Sequence, residues 1–397
     1  MPPIYLDNNA TTRTDPEVVA AMLPFFGETF GNASSTHAFG AGVATAVKAA
    51  RGDVKALVGA ASDAEIVFTS GGTESDNAAI LSALAADPGR DEIVTSAVEH
   101  PAVLALLAHL EKTRGTRVTV VGVDRSGRID IAAYRAALGP RTALATVMWA
   151  NNETGTIFPV ADLAALAHEA GALFHTDAVQ AAGRVRIDVA SATVDMLSLS
   201  GHKFHAPKGV GALYVRKGVP FAPLIRGGRQ ERGRRAGTEN VPGIVGLGRA
   251  AALATMRMAD DVPRIASLRD RLEAGILAMV PAVEVLGDPA SRLPGTLAFA
   301  FDGLDSEAIL FNLEKEGIAA SSGSACASGS MEPSHVLKAM AVPPTALEGA
   351  IRLCLSRETT DAEIDRVLAV LPPIVRSLQE ASPFWQERHG AEAGVPA

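Results

Sequence analysis

The stretch Ser198-Leu199-Ser200-Gly201-His202-Lys203-Phe204-His205-Ala206-Pro207-Lys208-Gly209 decides how the rest of the chain is read. Met196 to Leu199 is an apolar run that predicts a short buried strand. Ser200-Gly201 ends it and delivers His202 and Lys203 into a loop. Pro207 and Gly209 then turn the chain before a second strand, Gly211 to Val215. A lysine at the end of a buried strand is costly unless it is paired, desolvated for chemistry or bonded covalently. In a dry pocket a lysine amine is nucleophilic near neutral pH and forms Schiff bases with carbonyl cofactors. Taken alone, Lys203 reads as an ordinary surface lysine; its surroundings change that reading.

Outward from this stretch, strands and helices alternate. Glu65 to Ser70 predicts a strand, followed at once by Gly71-Gly72-Thr73-Glu74-Ser75 and a helix from Asn77 to Ala85. Further strands are expected at Asp91 to Ser96, Arg117 to Val123, Thr142 to Trp149 and Leu173 to Asp177. A helix, Ala102 to Leu110, follows His100-Pro101. The alternation predicts an α/β protein with a mostly parallel sheet covered by helices on both faces. Ligands bind such sheets beyond the carboxyl ends of the strands. Thr73, His100, Asn151, Asp177, Gln180 and Lys203 all fall just beyond predicted strand ends. The turn at Gly71 to Ser75 offers free N–H groups and a helix N-terminus to a phosphate. A plain capped turn would read the same way.

Ile244 to Met258 predicts a long bridging helix, and from about Asp260 the pattern changes to a smaller α+β unit. The expected organisation is a large domain at 14–258, a small domain from 1–13 and 259–388, and a disordered tail at 389–397. Arg226 to Thr238 is basic and glycine-rich, and on composition alone it reads as a solvated loop. Ser321 to Ser330, rich in Ser and Gly, reads as a mobile loop carrying Cys326.

Of the 397 residues, 48% are hydrophobic, enough for sizeable cores, so wholesale disorder is excluded. The net charge of −8 is spread among interspersed acids and bases and leaves no footprint for nucleic acid. Neither a membrane span nor a basic-then-apolar leader pattern is visible. With only two cysteines, Cys326 and Cys354, no disulfide scaffold is expected, and the chain suits a reducing cytoplasm.

If the carbonyl cofactor is pyridoxal phosphate, its aldehyde, ring nitrogen, ring face and phosphate must all be held. Lys203 can take the aldehyde and Asp177 the ring nitrogen. His100 can stack on the ring and Gln180 can bond the ring oxygen. Gly72, Thr73, Ser200 and His202 can hold the phosphate. His175-Thr176-Asp177 and His202 to His205 contain metal-ligand residue types, but H-E-x-x-H or paired C-x-x-C spacing is missing. Lys203 within the second group would repel a dication, so no metal site is expected.

The chain resembles the cysteine desulfurases, pyridoxal-phosphate enzymes of the class V aminotransferase group. The matching stretches are Tyr5-Leu-Asp-Asn-Asn-Ala-Thr-Thr12, Phe68-Thr-Ser-Gly-Gly-Thr-Glu-Ser-Asp-Asn77, Glu99-His100 and Asn151-Asn-Glu-Thr-Gly155. They continue with His175-Thr-Asp-Ala-Val-Gln180, Ser198 to Lys203, Arg235-Ala-Gly-Thr238 and Ser321-Ser-Gly-Ser-Ala-Cys326. Arg232 to Asn240, His205 to Gly209 and Gly329 to His335 look like the nitrogen-fixation subtype. The resemblance implies the aspartate aminotransferase-like fold (fold type I), with a seven-stranded type of sheet in the large domain. It also implies a homodimer in which Thr238 reaches the phosphate of the partner subunit's cofactor. Asn151 would contact the cofactor and, with Arg352, hold the substrate carboxylate. Arg352 suits that role because a guanidinium clamps a carboxylate with two bonds.

The implied reaction turns L-cysteine into L-alanine. Lys203 takes the Cα proton, His100 shuttles protons, and Cys326 receives the sulfur as a persulfide. A transient sulfur or iron–sulfur contact at Cys326 would precede transfer to a scaffold protein for iron–sulfur clusters, with nitrogenase as one destination. An aminotransferase or β-lyase would keep Lys203 and Asp177 without needing Cys326; a non-catalytic scaffold would need neither. The chain departs from the family at Arg352-Leu-Cys-Leu-Ser-Arg357, where Ser and Gly are usual. Cys354 is expected to be a buried structural thiol.

Overall fold

A computed structural model describes residues 2–322 and 333–389. Its main sheet has seven strands in the order Ile66–Thr69, Gly211–Val215, Met196–Ser200, Leu173–Asp177, Thr142–Thr146, Glu92–Ser96 and Arg117–Val121. Only Gly211–Val215 runs against the others. Every residue of Ile66–Thr69, Thr142–Thr146, Met196–Ser200 and Gly211–Val215 is buried. Such continuous apolar strands are what a sheet covered on both faces requires. Separate apolar clusters fill the two faces. One gathers Phe68, Phe174, Leu197 and Leu247; the other gathers Val67, Ile93, Leu107 and Leu213.

Two departures from the sequence reading bear on the site. The helix expected from Asn77 begins at Gly72 and runs to Ala86, so Gly72 and Thr73 lie in its first turn. Glu74 Oε2 accepts the Ser70 N–H at 2.8 Å and steadies this early start, although Gly and Ser are poor helix formers. Between Asp177 and Met196 the chain crosses by turns, with no α-helix among the described residues.

The long helix is Val241–Met279, 39 residues in one element, with Pro263 inside. It therefore passes straight through the expected 258/259 boundary. Ile244, Leu247 and Leu253 pack in the large core, whereas Ile265, Leu268, Leu272 and Ile276 pack in a second one. Full burial of one such Leu or Ile contributes about 1.5–3 kcal/mol, so both halves of the helix are firmly held.

The second core lies on an antiparallel sheet ordered Ser321–Ser322, Ala350–Cys354, Thr296–Phe301 and Val283–Leu286. The amphipathic helix Asp361–Ala381 covers it, started by a capping box between Thr360 and Glu363. Cys354 is fully buried in the Ala350–Cys354 strand. A short helix, Pro383–His389, follows. The expected mobile loop at Cys326 and the expected disordered tail fall on 323–332 and 390–397, outside the described residues.

The N-terminal residues tie the two units together. Ile4–Tyr5 pairs with Ile318–Ala319, and Asp7 bridges to Cys354. Asn9 Nδ2 then donates to Asn152 O, beyond the strand Thr142–Thr146, at 3.0 Å, and Thr12 N donates to His202 O at 2.8 Å. We call Asp7 to Thr12 the strap. No described helix is long and apolar enough to cross a membrane.

Candidate active site

Beyond the carboxyl ends of the parallel strands lies an open cleft of about 190 Å³. It is lined by Asn9, Gly72, Thr73, Asp76, His100, Met148, Ala150, Asn152, Asp177, Val179, Gln180, Ser200, His202 and Lys203. Of the residues singled out in the sequence, Gly72, Thr73, His100, Asp177, Gln180, Ser200, His202 and Lys203 are brought together here. The reason is local. Leu173–Asp177 and Met196–Ser200 are adjacent parallel strands that end side by side. The 3-10 turn Gly201–Lys203 then carries the lysine over the sheet edge. Lys203 Nζ donates to Asn9 O and Ala10 O, each at 2.7 Å, so the strap supplies both carbonyls.

Opposite Lys203 the cleft floor is a cluster of buried carboxyls. Asp177 Oδ1 accepts from Val179 N at 2.8 Å, and burial raises its pKa while the charges of His100 and Lys203 oppose the rise. Asp76 lies beneath; burial, then the neighbouring Asp177, push its carboxyl well above the usual range. Its Oδ1 has no hydrogen-bond partner among the described residues and lies 3.7 Å from His175 Nε2. His175 is fully buried between Thr146 Oγ1 at 2.8 Å and Ser198 Oγ at 2.9 Å, and burial pulls its pKa down to about 3. Glu99 accepts from Ser96 Oγ at 2.5 Å and from Met148 N at 3.0 Å, and burial lifts it to about 8. A cationic ring nitrogen placed against Asp177 would hold that carboxylate ionised.

His100 caps the helix Pro101–Arg114: its Nδ1 accepts from Ala102 N at 3.1 Å. That bond fixes the tautomer, leaving the proton of the neutral ring on Nε2. Burial lowers its pKa; Asp177 opposes this, and Lys203 and His335 add to it. In its neutral form the ring is an Nε2–H donor.

At the other end, Gly71 adopts φ 155° and the helix Gly72–Ala86 carries no side-chain cap on its first N–H groups. A Cβ at Gly72 would come within 2.7 Å of Val179 Cγ2, so the turn closes this tightly only with glycine there. Uncapped N–H groups beside Ser200 and His202 form an anion cradle. His202 Nδ1 bonds Thr11 Oγ1 at 3.1 Å; burial, then the charges of Lys203, Lys208 and Arg184, lower its pKa to about 4.

Other expected residues are placed elsewhere. The Asn151 side chain is spent inside its own loop: Oδ1 accepts from Glu153 N at 2.9 Å and Thr154 N at 3.0 Å, and Nδ2 donates to Val98 O at 3.1 Å. Asn152, its neighbour, lines the cleft instead. Thr238 is exposed, away from this cleft. Arg352 lies behind Asn152, 1% exposed, donating to Asn152 O at 3.0 Å and to Asp7 Oδ1 at 2.7 Å. Gln180 faces the cleft, but its Nε2 already donates to Asn9 O at 3.0 Å. Cys326 lies outside the described residues. Among those described, no group of three or more His, Cys, Asp or Glu could hold a metal ion.

Sequence reasoning missed Arg184. Its guanidinium donates to Asn8 O at 2.8 Å, Gln180 Oε1 at 2.9 Å and Lys203 O at 3.1 Å, and also to Asn9 Oδ1. Burial lowers its pKa to about 10. Its position four residues after Gln180 was the one visible signal.

The aminotransferase class-V family matches residues 4–367. The chain belongs to that family. A cysteine desulfurase of Gluconacetobacter diazotrophicus is 65% identical over 98% of each chain. The cysteine desulfurase NifS of Azotobacter vinelandii is 57% identical over 97% of this chain and 96% of its own. The solved structure of a NifS-like protein superposes with a TM-score of 0.89 at 36% identity, covering 95% of this chain and all of its own. Within the family, the chain's place is with the cysteine desulfurases, and its α/β fold is the fold type I architecture that the sequence resemblance implied.

Proposed function

We propose that the protein uses pyridoxal phosphate to convert L-cysteine into L-alanine and passes the sulfur to Cys326. One observation carries the reading: a single cleft gathers Lys203, Asp177, His100 and an uncapped helix N-terminus. The fit to the cofactor is chemical. Asp177, raised by burial, calls for a cationic partner such as a ring N–H. The Gly71-Gly72 turn, Thr73, Ser200 and His202 suit its phosphate, His100 its ring face and Lys203 its aldehyde. When bound, pyridoxal phosphate supplies a carbonyl that joins to amines and a ring that accepts electron density from Cα.

The chain's own residues do the rest. Lys203 Nζ, resting on two neutral carbonyls, takes the substrate's Cα proton. His100, neutral with its proton on Nε2, donates and recovers protons at the substrate. Arg352 supplies the positive charge for the substrate carboxylate. Cys326 attacks the substrate sulfur as a thiolate: the S–S bond of a persulfide forms as the substrate's Cβ–S bond breaks, and the electron pair left on the carbon skeleton takes up protons to give alanine. An unperturbed thiol is only a few per cent ionised at pH 7, so its proton must pass to a base at the site.

Leu23, Phe26, Phe30 and Phe39 are 61%, 68%, 70% and 62% exposed. The rings of Phe30 and Phe39 lie 5.7 Å apart. Exposed apolar groups gathered in this way support a homodimer that covers them. In that homodimer Thr238 of the partner subunit meets the cofactor phosphate. Close likeness to a NifS protein supports a cytoplasmic role in feeding sulfur to an iron–sulfur scaffold protein, with nitrogenase maturation as destination.

The test compares alanine release from L-cysteine, with a thiol reductant present, by the unaltered protein and by Cys326→Ala. The expected result is a loss of about a hundredfold or more in the variant with the cofactor's visible band retained. Equal rates of alanine release would remove Cys326 from the mechanism; pyruvate and ammonia formed in place of alanine would instead assign a β-lyase.

A further inference from the structure

Arg352 is held in a way that its proposed role does not require. One Nη donates to the Asp7 carboxylate at 2.7 Å and the other to Asn152 O at 3.0 Å. Its Nε is buried and has no hydrogen-bond partner among the described residues. Buried donors left open are rare, and on a guanidinium the open edge calls for an anion. Asp7 sits at the start of the strap whose next residues hold the lysine: Asn9 bonds Asn152 O through Nδ2, and its own carbonyl takes Lys203 Nζ.

We infer that Asp7 is a positioning residue for substrate recognition: it pins the Arg352 guanidinium so that the Nε edge is left for the α-carboxylate of the incoming amino acid. The inference rests on the reading of Arg352 as the carboxylate group's partner. Asp7 Oδ1 takes Nη2 and Asn152 O takes Nη1, so the Nε–H is the donor left for the incoming carboxylate. It fixes the fork's rotation and, through the strap, its distance from Lys203. A long flexible side chain loses several rotamers when it is pinned before the substrate arrives, so less ordering remains to be done on binding.

The test measures the preference of the holoenzyme for amines with a carboxylate. L-Alanine and ethylamine are titrated separately, following the visible absorbance of the bound cofactor. The unaltered protein should prefer L-alanine. Asp7→Asn, which keeps shape and an acceptor oxygen but loses the charge, should lower that preference about tenfold while leaving the ethylamine midpoint unchanged. In an Arg352→Lys background the same change should have no further effect. Should Asp7→Asn fail to fold, Asp7→Glu serves, with a smaller loss expected.

If the unaltered protein shows no preference for L-alanine, the reading of Arg352 falls and takes the inference with it. If the preference exists and survives Asp7→Asn, the inference alone is overturned. An equal weakening for both amines would give Asp7 a general packing role and also overturns it.

Discussion

Lys203 and Arg352 are the two cationic side chains on which the proposed reaction depends, and the protein holds them in opposite ways. The lysine amine donates to two backbone carbonyls of the strap, both neutral acceptors. The guanidinium is paired with a carboxylate and almost wholly buried. A neutral carbonyl gives up its donor for about the cost of one ordinary hydrogen bond, roughly 0.5–1.5 kcal/mol. Breaking a buried ion pair costs about 3–5 kcal/mol. The group that must move protons is therefore lightly tethered, and the group that must recognise charge is fixed. Both tethers belong to one short segment, Asp7 to Ala10, which bonds to residues beside both sheets.

The largest expected effect lies on the lightly held side. Lys203→Ala should lower the turnover of L-cysteine by about a thousandfold or more, the range for removal of a general acid–base group. Its midpoint in urea should fall less than that of an Arg352 variant, since the hydrogen bonds to Asn9 O and Ala10 O are made to neutral carbonyls. Rates of alanine formation and urea melts on the same preparations check this together. A variant that unfolds readily would show that the lysine is a structural tie after all, and the contrast with Arg352 would collapse.

Next comes the group that braces the strap against the lysine turn. Arg184→Ala removes donors to Asn8 O, Asn9 Oδ1, Gln180 Oε1 and Lys203 O at once. Leaving such buried acceptors unpaired should cost about 3 kcal/mol in urea unfolding, well beyond the cost expected for Lys203→Ala. If Arg184→Ala melts like the unaltered protein, the strap's other bonds, such as Thr12 N to His202 O, hold it without the guanidinium.

These two positions also separate what the sequence made legible from what it hid. Lys203, Asp177 and His100 were readable because strand ends are marked by apolar runs that stop at polar residues, and parallel sheets bind ligands there. Arg184 was hidden because half of its partners are backbone carbonyls, and two partners, Asn8 O and Asn9 Oδ1, lie more than 170 residues away in the chain. No periodicity records such a contact. The helix start at Gly72 was hidden by residues of low helix propensity, which a carboxylate from Glu74 compensates.

The basic run from Arg226 is mostly exposed, as its composition suggests, but it is also anchored. Its Glu231 is buried at φ 48°, accepting both terminal nitrogens of Arg51 at 2.7 Å and the N–H of Phe68 at 3.0 Å. One acidic residue among many basic ones anchors the loop, and bulk charge cannot reveal it. The loop leading to Thr238 is thereby fixed to the main sheet.

The smallest effect sharpens the account of the cleft floor, where charge is suppressed by burial. Glu99 has an ordinary pKa of 4.5 that rises to about 8 in the fold. Between these values the folded protein keeps a proton that the unfolded chain has released. Glu99 thus contributes stability that is present in full below pH 4.5 and is lost as pH rises through 8. His175 acts in the other direction. Its pKa falls from 6.5 to about 3, so the unfolded chain binds a proton that the fold refuses, and stability drops as pH falls below 6.5.

Glu99→Gln keeps an oxygen for Ser96 Oγ and Met148 N but cannot ionise. Relative to the unaltered protein it should therefore gain stability as pH rises from 6 to 8, by at most about 1.4 kcal/mol per unit. Urea unfolding of both proteins at pH 6, 7 and 8 measures the difference. Parallel curves would mean that Glu99 is ionised throughout, and the floor beneath Asp177 would then carry a negative charge that Lys203 must balance. A rising difference would leave Asp177 as the floor's charged acid once a cationic ring nitrogen meets it, which is the arrangement the proposed cofactor needs.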